Sequence, residues 1–194
     1  MSKGRLEAFS DGVIAIIITI MVLELRAPHE AQAAALKPLV PAFLSYVLSF
    51  TFIGIYWNNH HHLFQAARSV SGPVLWANLH LLFWLSLVPF VTSWLGDSHF
   101  ASLPVAAYGG VLLASGIAYQ ILTRALLARH DQDSALARAI GRDAKGWVSL
   151  AAYGVALPTA FLAPRIACAI YVAVALVWLV PDKRIERALA GRAS

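Results

Sequence analysis

Six apolar stretches, each close to the length a helix needs to cross a bilayer, dominate this chain: roughly residues 9–27, 39–63, 76–95, 104–127, 147–163 and 165–181. A hydrocarbon core about 30 Å thick takes about 20 residues of helix. Inside it every backbone N–H and C=O must find its partner within the protein, which leaves helices or a closed barrel. Runs this long and this uniformly apolar read as helices. The breaks between them carry the expected punctuation. Pro28 ends the first, Pro38 and Pro41 open the second, Ser71-Gly72-Pro73 separates the second from the third, and Pro164 separates the fifth from the sixth. The expected fold is all-α: a single six-helix polytopic membrane domain over residues 1–194, with no linker and no second domain.

Charge supports this reading and orients it. Only 13% of the residues are charged, against about 25% in an ordinary soluble domain. A net charge of +5 in a soluble protein would raise nucleic-acid binding. Here the basic residues lie between apolar runs, so topology accounts for them and no nucleic-acid partner is expected. With the N-terminus inside, twelve of the fifteen Lys and Arg fall on the inner side, and only Arg26, Lys37 and Arg165 fall outside. That is the positive-inside pattern for six spans with both termini cytoplasmic. Lys3 and Arg5 ahead of an apolar run, with Ala31–Ala35 beyond it, mimic a cleaved leader, but Glu7, Asp11 and Glu24 in or beside that run argue against one. The single cysteine, Cys168, sits among apolar residues and reads as a small inert side chain.

The most unusual polar residue is Asp11, at the mouth of the first helix. At mid-helix an aspartate costs about 2.5–3.5 kcal/mol to insert, less near the interface, and it marks a functional position by default. In the expected topology two other polar clusters share its depth: Tyr56-Trp57-Asn58-Asn59-His60-His61-His62 closes the second helix, and Trp76-Ala77-Asn78-Leu79-His80 opens the third. A network joining Ser10 and Asp11 to these histidines and asparagines would offset the desolvation of the carboxylate. Plainer readings stand beside it. Ser10 or Asp11 could be a helix N-cap, and Trp57 and Trp76 could be interfacial aromatics. Three consecutive histidines point about 100° apart on a helix, which speaks against one metal centre built from all three.

Along the first helix, Leu23 lies about 20° from Ile16, Ile20 about 40° and Thr19 about 60°. These residues form one stripe with a single hydroxyl in it. Asp11 falls about 140° from Ile16, so a stripe that faces a pore turns Asp11 away from it, into the protein. Arg5 lies about 120° from Asp11, too far round for easy direct pairing. Periodicity does not choose the stripe by itself, because nearly every residue from 13 to 23 is apolar. A buried helix whose Thr19 bonds a carbonyl one turn back fits the same residues.

The opening Arg5-x-x-x-Phe9-Ser10-Asp11-Gly12 resembles the prokaryotic branch of the lysosomal potassium-channel family of transmembrane protein 175. So do Tyr56-Trp57-x-Asn59-His60-His61-x-Leu63-Phe64, Asn78-Leu79 followed by Pro89-Phe90-Val91-Thr92, and the closing Val180-Pro181-Asp182. The resemblance runs through essentially the whole chain. It implies a potassium-permeable cation channel, not an enzyme, without a carbonyl filter loop and with no cofactor beyond the permeating ion. It implies a homotetramer in the bacterial inner membrane, with the first helices lining a central pore. Ile16 would be the hydrophobic constriction, Leu23 a second apolar ring, and Thr19 a polar ring near which potassium passes. Arg5, Phe9, Ser10 and Asp11 would brace the pore helix against Trp57, Asn59, His60, His61 and Asn78. Rings of Ile gate by dewetting, and Thr hydroxyls replace part of an ion's hydration shell, so selectivity is expected to be weaker than in a carbonyl filter. Two other classes are expected to leave different marks: a proton-coupled transporter using Asp11 and the histidines as relay, and a membrane oxidoreductase holding haem between His60–His62 and His80.

Overall fold

The computed structural model describes residues 2–28, 30–67, 69–128 and 143–179. Helix α1 spans Lys3–Leu23, and a 3-10 helix over Ala33–Leu39 leads into α2, Val40–Ala66. Then come α3 (Gly72–Ser86), α4 (Val88–Asp97), α5 (Ser102–Leu127), α6 (Ala144–Leu162) and α7 (Pro164–Leu179). Each of the six apolar stretches is therefore one helical rod, the third being α3 and α4 in line. Four stretches are long and apolar enough to cross a membrane by length and composition: Lys3–Leu23, Ala33–Ala66, Gly72–Asp97 and Ser102–Leu127. The motif Val180-Pro181-Asp182, a surface helix expected over Asp182–Arg192, and most of the charged loop from Arg129 to Lys145 lie outside the described residues.

The boundaries differ from the sequence reading where polar residues are helical. Helix α1 begins at Lys3 rather than at residue 9, so that Arg5 and Glu7 sit within its first turns rather than ahead of them, and it ends at Leu23, before Pro28 is reached. The third stretch breaks at Leu87: Pro89, the second residue of α4, has no N–H to continue the ladder of α3. Pro38 falls inside the 3-10 helix, and it is Pro41 that stands at the opening of α2. Pro164 opens α7 as its first residue.

Helix α5 forms the centre of the bundle. It packs against α3, α4, α6 and α7, while α1 lies against α2, α3 and α4. One close approach sets the spacing of α2 and α4: a Cβ at Gly96 would meet the Cα of Ala42 at 2.6 Å and the Oγ of Ser45 at 2.8 Å. Nearby, Ser49 Oγ and Tyr108 Oη lie 2.9 Å apart, and the Thr92 hydroxyl lies within 2.7 Å of Ser49 Oγ and 2.6 Å of the Val88 carbonyl. This buried hydroxyl cluster ties α2, α4 and α5 where lipid-like surroundings supply no other partner.

Candidate functional site

Helix α1 buries one seam: Leu6, Ser10, Ile14, Ile17 and Met21, at steps of three and four. Ser10 is the polar member of that seam and is fully enclosed. A hydroxyl so placed must be bonded. Ser10 Oγ donates to the Leu6 carbonyl at 2.9 Å and accepts from Asn78 Nδ2 at 2.9 Å. The other end of the Asn78 amide, Oδ1, lies 2.8 Å from His60 Nε2. His60 is 1% exposed and Asn78 is fully buried. Asn78 Oδ1 can only accept, so His60 carries its proton on Nε2. The result is a one-way chain, His60 to Asn78 to Ser10 to Leu6, in which each donor has an acceptor. It joins α2, α3 and α1. The Phe64 ring, centred 4.5 Å from that of His60, covers it.

Asp11 stands apart from this chain. The expectation was that it would face into the protein and share the network with Ser10. Instead its side chain is on the exposed surface of the subunit, where Trp57 Nε1 donates to Oδ1 at 3.0 Å. The physical reason is the helix itself: neighbours point about 100° apart, so with Ser10 in the seam Asp11 cannot be. His61 stacks on Trp57, with ring centres 6.2 Å apart and planes 26° apart. The residues expected to act together thus divide. Ser10, His60 and Asn78 form one unit, and Asp11, Trp57 and His61 form another. Arg5 is exposed with no hydrogen bond to a described residue, and Phe9 is 51% exposed. Asn59 donates to Ile55 O in its own helix at 2.8 Å, and its backbone carbonyl accepts from Tyr119 Oη at 3.2 Å, so it ties α2 to α5 and not to α1.

The expected pore stripe lies on the largely exposed side of α1. Ile16 is 58% exposed and Leu23 79% exposed. Thr19 is exposed too, and its Oγ1 donates to the Ile16 carbonyl at 2.8 Å. Beside this stripe an open groove of about 740 Å³ runs between α1 and α4, lined by Ile16, Ile20, Glu24, Phe90 and Trp94 among others. Two of the four histidines named for haem are otherwise engaged at Nε2: His60 by Asn78, and His80 by Trp84 Nε1 at 2.9 Å. Sequence reasoning missed Lys3, whose Nζ donates to the carbonyls of Phe64 at 2.9 Å and Ala67 at 3.0 Å. The signal was present, because Lys3 lies three residues before Leu6 and so continues the buried seam by one step.

The fold and the site define a polytopic α-helical membrane protein whose first helix is held by polar side chains at one end and leaves an apolar stripe unpartnered along the rest. Residues 5–89 match the family described as endosomal/lysosomal potassium channel TMEM175. A protein of Chryseobacterium sp. (strain P1-3) named as a potassium channel is 56% identical over 189 residues, which cover 97% of this chain and 98% of that one. The chain belongs to the TMEM175 family. The Bos taurus protein named endosomal/lysosomal proton channel TMEM175 is 31% identical over 219 residues, 98% of this chain but 45% of its own length. The crystal structure described as a lysosomal potassium-selective channel TMEM175 homolog from Chamaesiphon minutus superposes with a TM-score of 0.80 at 29% identity, covering 92% of this chain and 96% of that one.

Proposed function

We propose that this chain is a potassium-permeable cation channel of the bacterial inner membrane, assembled as a homotetramer around a pore lined by α1, with both termini cytoplasmic. The observation that carries this reading is the division of α1 into a buried seam and an uncovered stripe of Ile16, Thr19 and Leu23. Four copies of that stripe around an axis make an Ile16 ring narrow enough to dewet, a Leu23 ring beyond it and a Thr19 ring between them. Thr19 donates its proton to its own helix. Its oxygen lone pairs are therefore free to face a cation, which is the polarity a potassium ion near this ring requires. Transport is passive and calls for no catalytic group and no cofactor. Arg5, Phe9, Ser10, Asp11, Trp57, Asn59, His60, His61 and Asn78 serve the placing of α1 and its neighbours, not contact with the ion.

The test is reconstitution into liposomes with potassium and sodium flux measured side by side. Wild-type protein is expected to pass both ions with a preference for potassium, and Ile16→Asn is expected to wet the constriction and raise flux several-fold. Unchanged flux in Ile16→Asn would falsify the gate assignment. A second reading, proton permeation, is favoured by the proton-channel names of the mammalian relatives. A pH-sensitive dye in the same liposomes decides it: acidification that persists without potassium, and is lost when Asp11 and His61 are replaced, supports the proton reading.

A further inference from the structure

Within α1 the polar ties to other helices, at Lys3, Ser10 and Asp11, all lie in its first nine residues, whereas Val13 to Leu23 make apolar contacts and border the open groove against α4. Just past the far end, the exposed Glu24 carboxylate accepts a long bond of 3.3 Å from Ser93 of α4. Lys3 is the outermost of the three. Its ammonium meets the carbonyls of Phe64 and Ala67 at the C-terminal end of α2, where the Phe64 carbonyl also accepts from the Ala67 N–H at 3.1 Å and the helix dipole is negative. Its stem continues the buried seam of Leu6, Ser10 and Ile14, so its reach to that end is fixed by the packing of α1 rather than by a free side chain.

We propose that Lys3 is a positioning residue for the constriction, holding the start of α1 against the end of α2 and thereby setting where Ile16 stands. The inference rests on the reading of α1 as the pore helix. Its mechanism is a lever. Lys3 is seven residues before Ser10, about 10 Å along the helix, and Ile16 is six residues beyond it, about 9 Å. With Ser10 bonded to Asn78 as the fulcrum, a drift of about 1 Å at the Lys3 end carries Ile16 about 1 Å the other way. In a fourfold ring this changes the diameter by twice that amount. A ring of Ile side chains held near contact can only widen when its restraint is loosened, so loss of the tie raises resting flux. A cation is required: a neutral side chain reaching the same carbonyls forms a weaker bond and gains nothing from the helix dipole.

The experiment compares potassium flux through full-length wild type, Lys3→Gln, Lys3→Arg and Ile16→Asn in liposomes at matched amounts of assembled protein. Lys3→Gln is expected to raise resting flux at least threefold, and Lys3→Arg to stay within about a factor of 1.5 of wild type. If Lys3→Gln does not yield folded protein, the comparison moves to Lys3→Cys in a Cys168→Ala background. There, alkylation with bromoethylamine rebuilds an ammonium at the same reach and is expected to bring the raised flux back down on the same sample. A Lys3→Gln flux equal to wild type while Ile16→Asn raises flux overturns the role of Lys3 alone. So does a raised flux that neither Arg nor aminoethylation reverses. If Ile16→Asn is also silent, the assignment of α1 to the pore fails, and the inference with it.

Discussion

Replacing Asn78 with alanine removes the middle of the chain from His60 to Ser10, and its cost can be worked from the groups left behind. His60 Nε2–H is 1% exposed and would have no acceptor, which costs about 1–3 kcal/mol. Ser10 keeps its bond to the Leu6 carbonyl and loses only what Asn78 donated, about 0.6 kcal/mol for an interhelical bond in a membrane protein. The expected loss is about 2–3 kcal/mol of unfolding free energy, measured by denaturing-detergent titration of the purified protein in mixed micelles. The larger part comes from an orphaned donor rather than from a lost bond, and this gives a sharper signature. Adding His60→Phe to Asn78→Ala removes the orphan, so the double variant is expected to recover about 1 kcal/mol relative to the sum of the single losses. Additivity within about 0.5 kcal/mol, or a loss below that size for Asn78→Ala alone, would refute a hydrogen-bonded chain as what holds α1, α2 and α3 together.

Gly96→Ala is expected to cost about 1–3 kcal/mol in the same titration, because its Cβ enters the backbone of Ala42, whereas Gly110→Ala, with nothing within 4 Å, is expected to be neutral or stabilising. Tyr153 is 3% exposed and lines a cavity of about 40 Å³ with Tyr56, Ser149 and Gln120. The lining is mostly apolar, but the cavity has room for one water, which the hydroxyls of Tyr153 and Tyr56 and the Gln120 amide would bond; Tyr153→Phe is then expected to lower stability by about 0.5–1.5 kcal/mol, and a rise in stability would mean that the cavity is dry. Trp57→Phe removes the bond that Trp57 donates to Asp11. With both groups exposed it is expected to cost under about 1 kcal/mol in the titration, and a loss above 2 kcal/mol would show that the contact is buried in the assembled protein.

The division between sequence and structure follows from the range of the physics involved. Local patterns were enough for the helices, because a bilayer demands about 20 apolar residues per span and prolines cannot donate to a helix. Hence the six stretches, the opening of α2 at Pro41 and of α7 at Pro164 were readable from the sequence. The break at Leu87 was not read, although Pro89 was in plain view, because a run of continuous hydropathy masks a turn of a single residue. The wheel grouped Ile16, Thr19 and Leu23, which do lie together on exposed surface, but it turned Asp11 into the protein, where the structure has it exposed. It could not say which neighbour each face meets.

Those pairings were decided by the tertiary structure alone. Ser10 and Asn78 are 68 residues apart, and Trp57 and Asp11 are 46 apart. No periodicity connects them. The polar residues at one depth offered many pairings, and packing of α1 on α2 and α3 selected one: Ser10 inward to Asn78 and His60, Asp11 outward to Trp57. Lys3 shows the same limit most plainly. By sequence it is one more positive charge beside an apolar run. Only the meeting of the start of α1 with the end of α2 turns it into a donor to two carbonyls, because a carbonyl near a helix end has a lone pair to spare for whatever donor the fold brings near.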